Sequence, residues 1–79
     1  GDHFDPYRKI IRMANQIGAF FEAMPDREQA VRDVADHLRR SWDPRMRTQL
    51  MATLSGADEE KLKPLVRDAV LALRQAEAD

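Results

Sequence analysis

Apolar residues recur at three- and four-residue steps along most of the chain, a spacing that places them on one face of an α-helix. We expect a first helix from about Pro6 to Ala23, capped by Asp5 and ended by the pair Met24-Pro25. Gly18 lies within this helix, where a glycine often marks close approach by another backbone. The apolar stripe comprises Tyr7, Ile10, Ile11, Ala14, Ile17, Phe21 and Met24.

Two aspartates mark the starts of the next helices. Asp26 with Gln29 three residues later has the pattern of a capping box and predicts a second helix that runs to about Ser41. Asp43 followed by Pro44 predicts the start of a third helix, which we expect Gly56 to end in a left-handed conformation. The apolar faces comprise Ala30, Val31, Val34, Ala35, Leu38 and Trp42 in the second helix, and Met46, Leu50, Met51 and Leu54 in the third.

The last segment is divided by a proline. Since Pro64 cannot lie deep inside a helix, we expect a short helical turn or loop over 58–62 and a fourth helix from Pro64 to about Ala76. Its core face comprises Leu65, Val66, Ala69, Val70 and Leu73. No segment has the period of a strand, so the pattern predicts an all-α fold, a small bundle of about four short antiparallel helices. We expect residues 1–79 to form a single helical domain, with 1–5 a disordered leader and 77–79 a frayed tail.

Composition narrows the chemistry. The chain has no cysteine, which excludes disulfides and thiolate ligands and fits a reducing cytoplasm. No apolar run approaches the roughly 18 residues of a membrane span. His3 and His37 stand in no metal-binding motif, and the glycines form no phosphate loop. We therefore expect no catalytic, cofactor-binding or metal-binding residues, and no enzyme activity from this chain alone.

One segment combines arginine with tryptophan. Residues 39–47 contain four arginines, one aspartate and the only tryptophan, a charge of +3 in a chain whose net charge is -1. Arginine and tryptophan are over-represented at interface hot spots. The alternative is that arginines near helix ends are solvated and complement the helix dipole. We expect a partner-binding surface here, formed by Arg39, Arg40, Trp42, Arg45 and Arg47. One edge of the Trp42 indole should lie near the protein surface.

Two amides interrupt the otherwise apolar first helix. Asn15 and Gln16 lie between Ala14 and Ile17. A buried amide must find hydrogen-bond partners, so we expect these residues to serve partner recognition or buried hydrogen bonds. The alternative is that both side chains point to solvent.

Two other classes of function compete with a docking subunit. A small helical nucleic-acid-binding regulator could use the same arginines, but a pI of about 6.1 argues against a broad phosphate-binding surface. The third helix also lacks the polar face that reads bases. The remaining alternative is a free-standing homodimeric interaction module.

Several blocks of sequence closely resemble one family. The blocks are Met13–Phe21 (MANQIGAFF), Met24–Arg27 (MPDR), His37–Arg47 (HLRRSWDPRMR) and Pro64–Arg67 (PLVR). In this order they resemble the delta subunit of NAD-dependent, molybdenum-containing formate dehydrogenases, and the resemblance covers roughly Ile10 to Leu73.

The resemblance implies a small accessory subunit of a cytoplasmic complex that oxidises formate to carbon dioxide and passes the electrons to NAD. The molybdenum cofactor, iron–sulfur clusters and flavin of such a complex belong to its other subunits, so no cofactor is implied for this chain. The implied partner is the catalytic (alpha) subunit and its complex, rather than nucleic acid or a membrane. The implied role is to assemble or stabilise that subunit or to insert its cofactor, and the sequence does not separate these three.

Overall fold

The computed structural model describes residues 6–78, and within them it contains four α-helices and no strand. The helices are α1 (Pro6–Phe21), α2 (Arg27–Ser41), α3 (Pro44–Ala52) and α4 (Pro64–Ala78). Two short 3-10 segments, Thr53–Ser55 and Ala57–Lys61, connect α3 to α4. The all-α bundle expected from the sequence is confirmed. The expected leader over 1–5, the Asp5 cap and residue 79 lie outside the described residues.

The predicted caps at Asp26 and Asp43 are both present. Asp26 Oδ1 accepts a hydrogen bond from the backbone N–H of Gln29 at 3.2 Å, and Asp43 Oδ1 accepts one from the N–H of Met46 at 3.0 Å. Each satisfies a donor that the first turn of a helix otherwise leaves unpaired. The reciprocal half of the capping box does not form, because the Gln29 Oε1 instead accepts from Arg32 at 3.1 Å while its Nε2 donates to Asp33 at 2.8 Å.

Two predicted helix ends are wrong. α1 ends at Phe21 instead of about Ala23, and the N–H of Met24 then bonds the carbonyl of Phe21 in a tighter turn. The chain thus leaves the helix before Met24. Because Met24 precedes Pro25, the α region is disfavoured for it. Gly56 is extended (φ -126°, ψ -173°) and not left-handed. The α-helix has already ended at Ala52, and the 3-10 segment Thr53–Ser55 makes the turn.

The core lies between α2 and α4, which form the most extensive helix pair. The two helices run in the same direction. Arg27 at the start of α2 pairs with Asp68 at 3.0 Å, and Arg39 near its end lies beside Ala76. This is the relation expected for alternate helices of a bundle in which successive helices reverse. The largest fully buried side chains are Val34, Leu38, Leu50, Leu65, Val66 and Val70.

α1 packs across the start of α4 at Gly18. A Cβ atom placed on Gly18 would lie 2.4 Å from Cγ2 of Val66, far inside van der Waals contact. The sequence predicted close approach by a backbone at this glycine, whereas the neighbour is a fully buried side chain. The contact therefore requires the absence of a side chain at position 18.

We expect Gly18→Ala to destabilise the domain. Alanine has the better helix propensity by up to about 1 kcal/mol, but overpacking against Val66 typically costs about 1–3 kcal/mol, so the net effect is a loss of stability. Chemical denaturation of the purified chain measures it.

The double variant Gly18→Ala/Val66→Ala is the matched control. It removes the methyl group that the new Cβ strikes, so its loss should be smaller than the sum of the two single losses. If the stability losses of the two single variants add strictly, or if Gly18→Ala is more stable than the wild type, then α1 and α4 accommodate the added methyl group without strain.

Candidate partner-binding surface

Trp42 belongs mainly to the core. It is the C-cap residue of α2, its backbone N–H bonds the carbonyl of Leu38 at 3.1 Å, and only 6% of the residue is exposed. Its place follows from the spacing of four residues after Leu38, which continues the apolar face of α2. The ring therefore contributes mostly to packing, and little of its edge reaches the surface.

Arg47 ties together the ends of three helices. From α3, its Nη1 donates to the carbonyls of Trp42 at 2.7 Å and Arg39 at 3.1 Å, in the last turn of α2. Its Nε lies 3.0 Å from Oε1 of Glu77 near the end of α4. The side chain is only 16% exposed. The guanidinium thus satisfies carbonyls that a helix end leaves unpaired and places positive charge where the dipole favours it.

We expect Arg47→Ala to destabilise the fold by about 2–3 kcal/mol, because charge-assisted hydrogen bonds contribute about 1.5–3 kcal/mol and the carbonyls lose their partner. Arg47→Lys should recover less than half of this loss, since an ammonium lacks the planar fork that serves three acceptors. Thermal and urea denaturation measure both variants. A folding stability unchanged in Arg47→Ala would refute the structural role.

The other arginines of the segment point outward. Arg39 approaches Asp36 at 3.5 Å in an exposed pair of the kind that contributes little. Arg40 and Arg45 are exposed and have neither a hydrogen bond nor an ion pair within residues 6–78. The predicted surface is therefore divided: Trp42 and Arg47 serve the fold, and Arg40 and Arg45 stand on either side of the junction between α2 and α3.

The two amides of α1 also have different surroundings. The Asn15 Nδ2 donates to the carbonyl of Lys61 at 2.9 Å, and its Oδ1 accepts from the N–H of Lys63 at 2.9 Å. Asn15 thereby holds the connection that leads into α4. Gln16 is exposed.

We expect Asn15→Ala to cost about 1–2 kcal/mol, the sum of two ordinary hydrogen bonds, and Gln16→Ala to stay within about 0.5 kcal/mol, as for a surface substitution. Hydrogen exchange at the Lys63 amide should accelerate in the first variant alone. Asn15→Asp is the control that keeps an acceptor for Lys63 and loses the donor to Lys61, so its Lys63 amide should stay protected. Equal stability of the two alanine variants would contradict a structural role for the two hydrogen bonds of Asn15.

The outer stripe of α1 consists of Arg8, Arg12, Gln16 and Phe20, of which sequence reasoning singled out only Gln16. All four side chains are exposed, and Phe20 is 77% exposed. The signal was their spacing of four residues, which aligns them along one face of a helix. It was obscured because the apolar stripe on the opposite face dominates the pattern.

Within residues 6–78, no group of His, Asp and Glu side chains is placed to hold a metal ion. None of the helices in this range combines the length and apolarity that crossing a bilayer requires. The concave features in the same range are shallow surface grooves between helices, such as the one lined by Ala35, Ala72 and Ala76.

The fold defines a small all-α protein. Residues 9–70 match the family described as NADH-dependent formate dehydrogenase delta subunit, FdsD, and the chain belongs to this family. Members of it are small, non-catalytic accessory subunits of a formate dehydrogenase complex. No curated protein and no solved structure matches the chain.

Proposed function

We propose that this chain docks on the catalytic (alpha) subunit of a cytoplasmic formate dehydrogenase and assembles or stabilises it. The family match over residues 9–70 carries the proposal. The surface supports it, because Arg40 and Arg45 are exposed cations without a partner in the described part of the chain.

The chain takes no part in the redox chemistry under this proposal. It has no cysteine with which to bind an iron–sulfur cluster, and the family is an accessory one. Its contribution is a folded surface. Arginine suits such a surface because its planar fork binds carboxylates in a bidentate manner and is weakly hydrated for a cation.

Co-purification from the native cell tests the proposal directly. A tagged copy should retain the catalytic subunit, and deletion of the chain should lower the yield of intact complex. The molybdenum content of complex made without the chain distinguishes the two roles. If the chain inserts the cofactor, its deletion lowers the molybdenum content per catalytic subunit. If the chain only stabilises the complex, its deletion lowers the amount of complex alone. A tagged copy that retains no other subunit would refute the proposal.

We expect Arg40→Ala and Arg45→Ala to leave folding within about 0.5 kcal/mol, as for other exposed positions, yet to weaken association with the catalytic subunit. Truncating a hot-spot residue costs about 2 kcal/mol or more, roughly thirtyfold in affinity. Binding of purified variants to the complex that lacks this chain measures the effect. Arg74→Ala, an exposed arginine on α4, is the control. Wild-type affinity in both variants would mean that the junction between α2 and α3 is merely solvated.

A further inference from the structure

α1 is a helix of one sign of charge. Its sixteen residues include Arg8, Lys9 and Arg12 and contain no aspartate or glutamate. The chain carries -1 in total, so these three cations leave -4 for the remainder. This concentration of positive charge exceeds that of α2, which mixes four arginines with three acidic residues.

The placement of the cations opposes the stability of the isolated helix. Arg8 and Arg12 are four residues apart, where like charges repel one another along a helix. Arg8 also lies in the first helical turn, the end at which the dipole disfavours positive charge. Neither arginine has an ion pair or hydrogen bond in the part of the chain that the structure describes. Within residues 6–78, neither positive charge is offset by an ion pair of the fold.

The surface beside the arginines is concave. A groove runs along α1 to the start of α4, and Arg8, Arg12 and Lys63 contribute cations to it while Ile11 and Ala19 contribute apolar surface. Lys63 approaches Glu22 at 3.5 Å in an exposed pair. Among residues 6–78, no carboxylate lines the groove. An acidic segment of another protein complements its charge.

Phe20 supplies an apolar end to the outer stripe. It lies four residues beyond Gln16 and twelve beyond Arg8, about 18 Å along the helix axis at 1.5 Å per residue. Its ring packs edge-to-face against Phe21, with centroids 5.2 Å apart, and Phe21 is itself half-buried against the core. The exposed ring is therefore held by a neighbour anchored in the fold, and it presents a preformed apolar contact.

We propose that the outer stripe of α1 binds an acidic segment of the partner subunit, with carboxylates facing Arg8 and Arg12 and an apolar site receiving Phe20. This rests on the proposed function and adds α1 as a second contact face, in addition to the junction that carries Arg40 and Arg45. A protein segment fits better than a nucleic acid, because the chain carries a net charge of -1 and the stripe ends in an apolar ring that no phosphate backbone would cover.

Zero-length carbodiimide cross-linking of the purified complex tests the placement. The reagent joins a lysine amine to a carboxylate in contact with it, and the chain has only three lysines, Lys9, Lys61 and Lys63. We expect Lys9, on α1, to be joined to aspartates or glutamates of another subunit, and Lys63, in the groove, to be joined to them in competition with Glu22 of its own chain, 3.5 Å away. Lys61 is the internal control and should be joined to Asp58 of its own chain, 3.0 Å away. Intersubunit links that involve Lys61 but neither of the other two would overturn the proposal.

Charge reversal tests the energetics. Arg8→Glu/Arg12→Glu should weaken binding to the complex that lacks this chain by at least tenfold, because like charges then face one another. Its folding should stay close to that of the wild type, since position 8 lies in the first turn, where negative charge is favoured, and both positions are exposed. Arg32→Glu/Arg74→Glu is the matched control, with the same charge change on exposed positions outside the groove. Phe20→Ala should weaken binding to a similar degree without loss of thermal stability.

The outcomes separate this inference from the proposed function. If the wild-type chain fails to retain the complex, the proposed function itself fails. If the wild type binds and the folded α1 variant binds equally well, only the assignment to α1 fails. Binding to duplex DNA would also overturn the inference. If the wild-type chain binds duplex DNA at roughly 50 mM salt, where phosphate contacts are strong, and the α1 variant does not, the stripe is a phosphate-binding surface.

Discussion

The parallel contact between α2 and α4 is the interaction on which the other helices depend. Val34 and Leu38 from α2 and Val66 and Val70 from α4 are fully buried, and α1 and α3 complete the cluster around them. A chain of this size has few other sources of stability, because a small domain buries a smaller fraction of its surface than a large one. It contains no cysteine with which to form a disulfide staple. Helix packing must therefore provide nearly all of the free energy of folding.

Two polar residues convert this packing into a defined arrangement. Asn15 joins α1 to the connection before α4, and Arg47 joins the end of α2 to the end of α4. Each side chain satisfies backbone groups that would otherwise lack a partner, so each penalises alternative packings in which those groups are left unpaired. Apolar contacts are less specific, since many arrangements bury a similar area.

The sequence predicted what local physics determines. The helices follow from the apolar period, and the starts of α2 and α3 follow from Asp26 and Asp43, whose caps act over three residues. The remote partners of Asn15 and Arg47 could not be predicted, because Lys63 and Glu77 are far away in sequence and are brought near only by the fold. Gly56 shows the same limit on a smaller scale. A left-handed glycine is a common way to end a helix, but α3 ends at Ala52 and the 3-10 segment Thr53–Ser55 makes the turn before Gly56.

The position of α1 links surface binding to the integrity of the core. Its inner face covers the cluster with Ile10, Ile11 and Ala14, while its outer face meets solvent. A protein that binds the outer face of α1 also keeps its inner face packed on the core. The free energy of binding therefore adds to the free energy of unfolding. Copies of the chain in excess of their partner lack this contribution and open more often. Because opened chains are the ones that proteases degrade, the amount of this subunit in the cell would follow the amount of the protein that it binds.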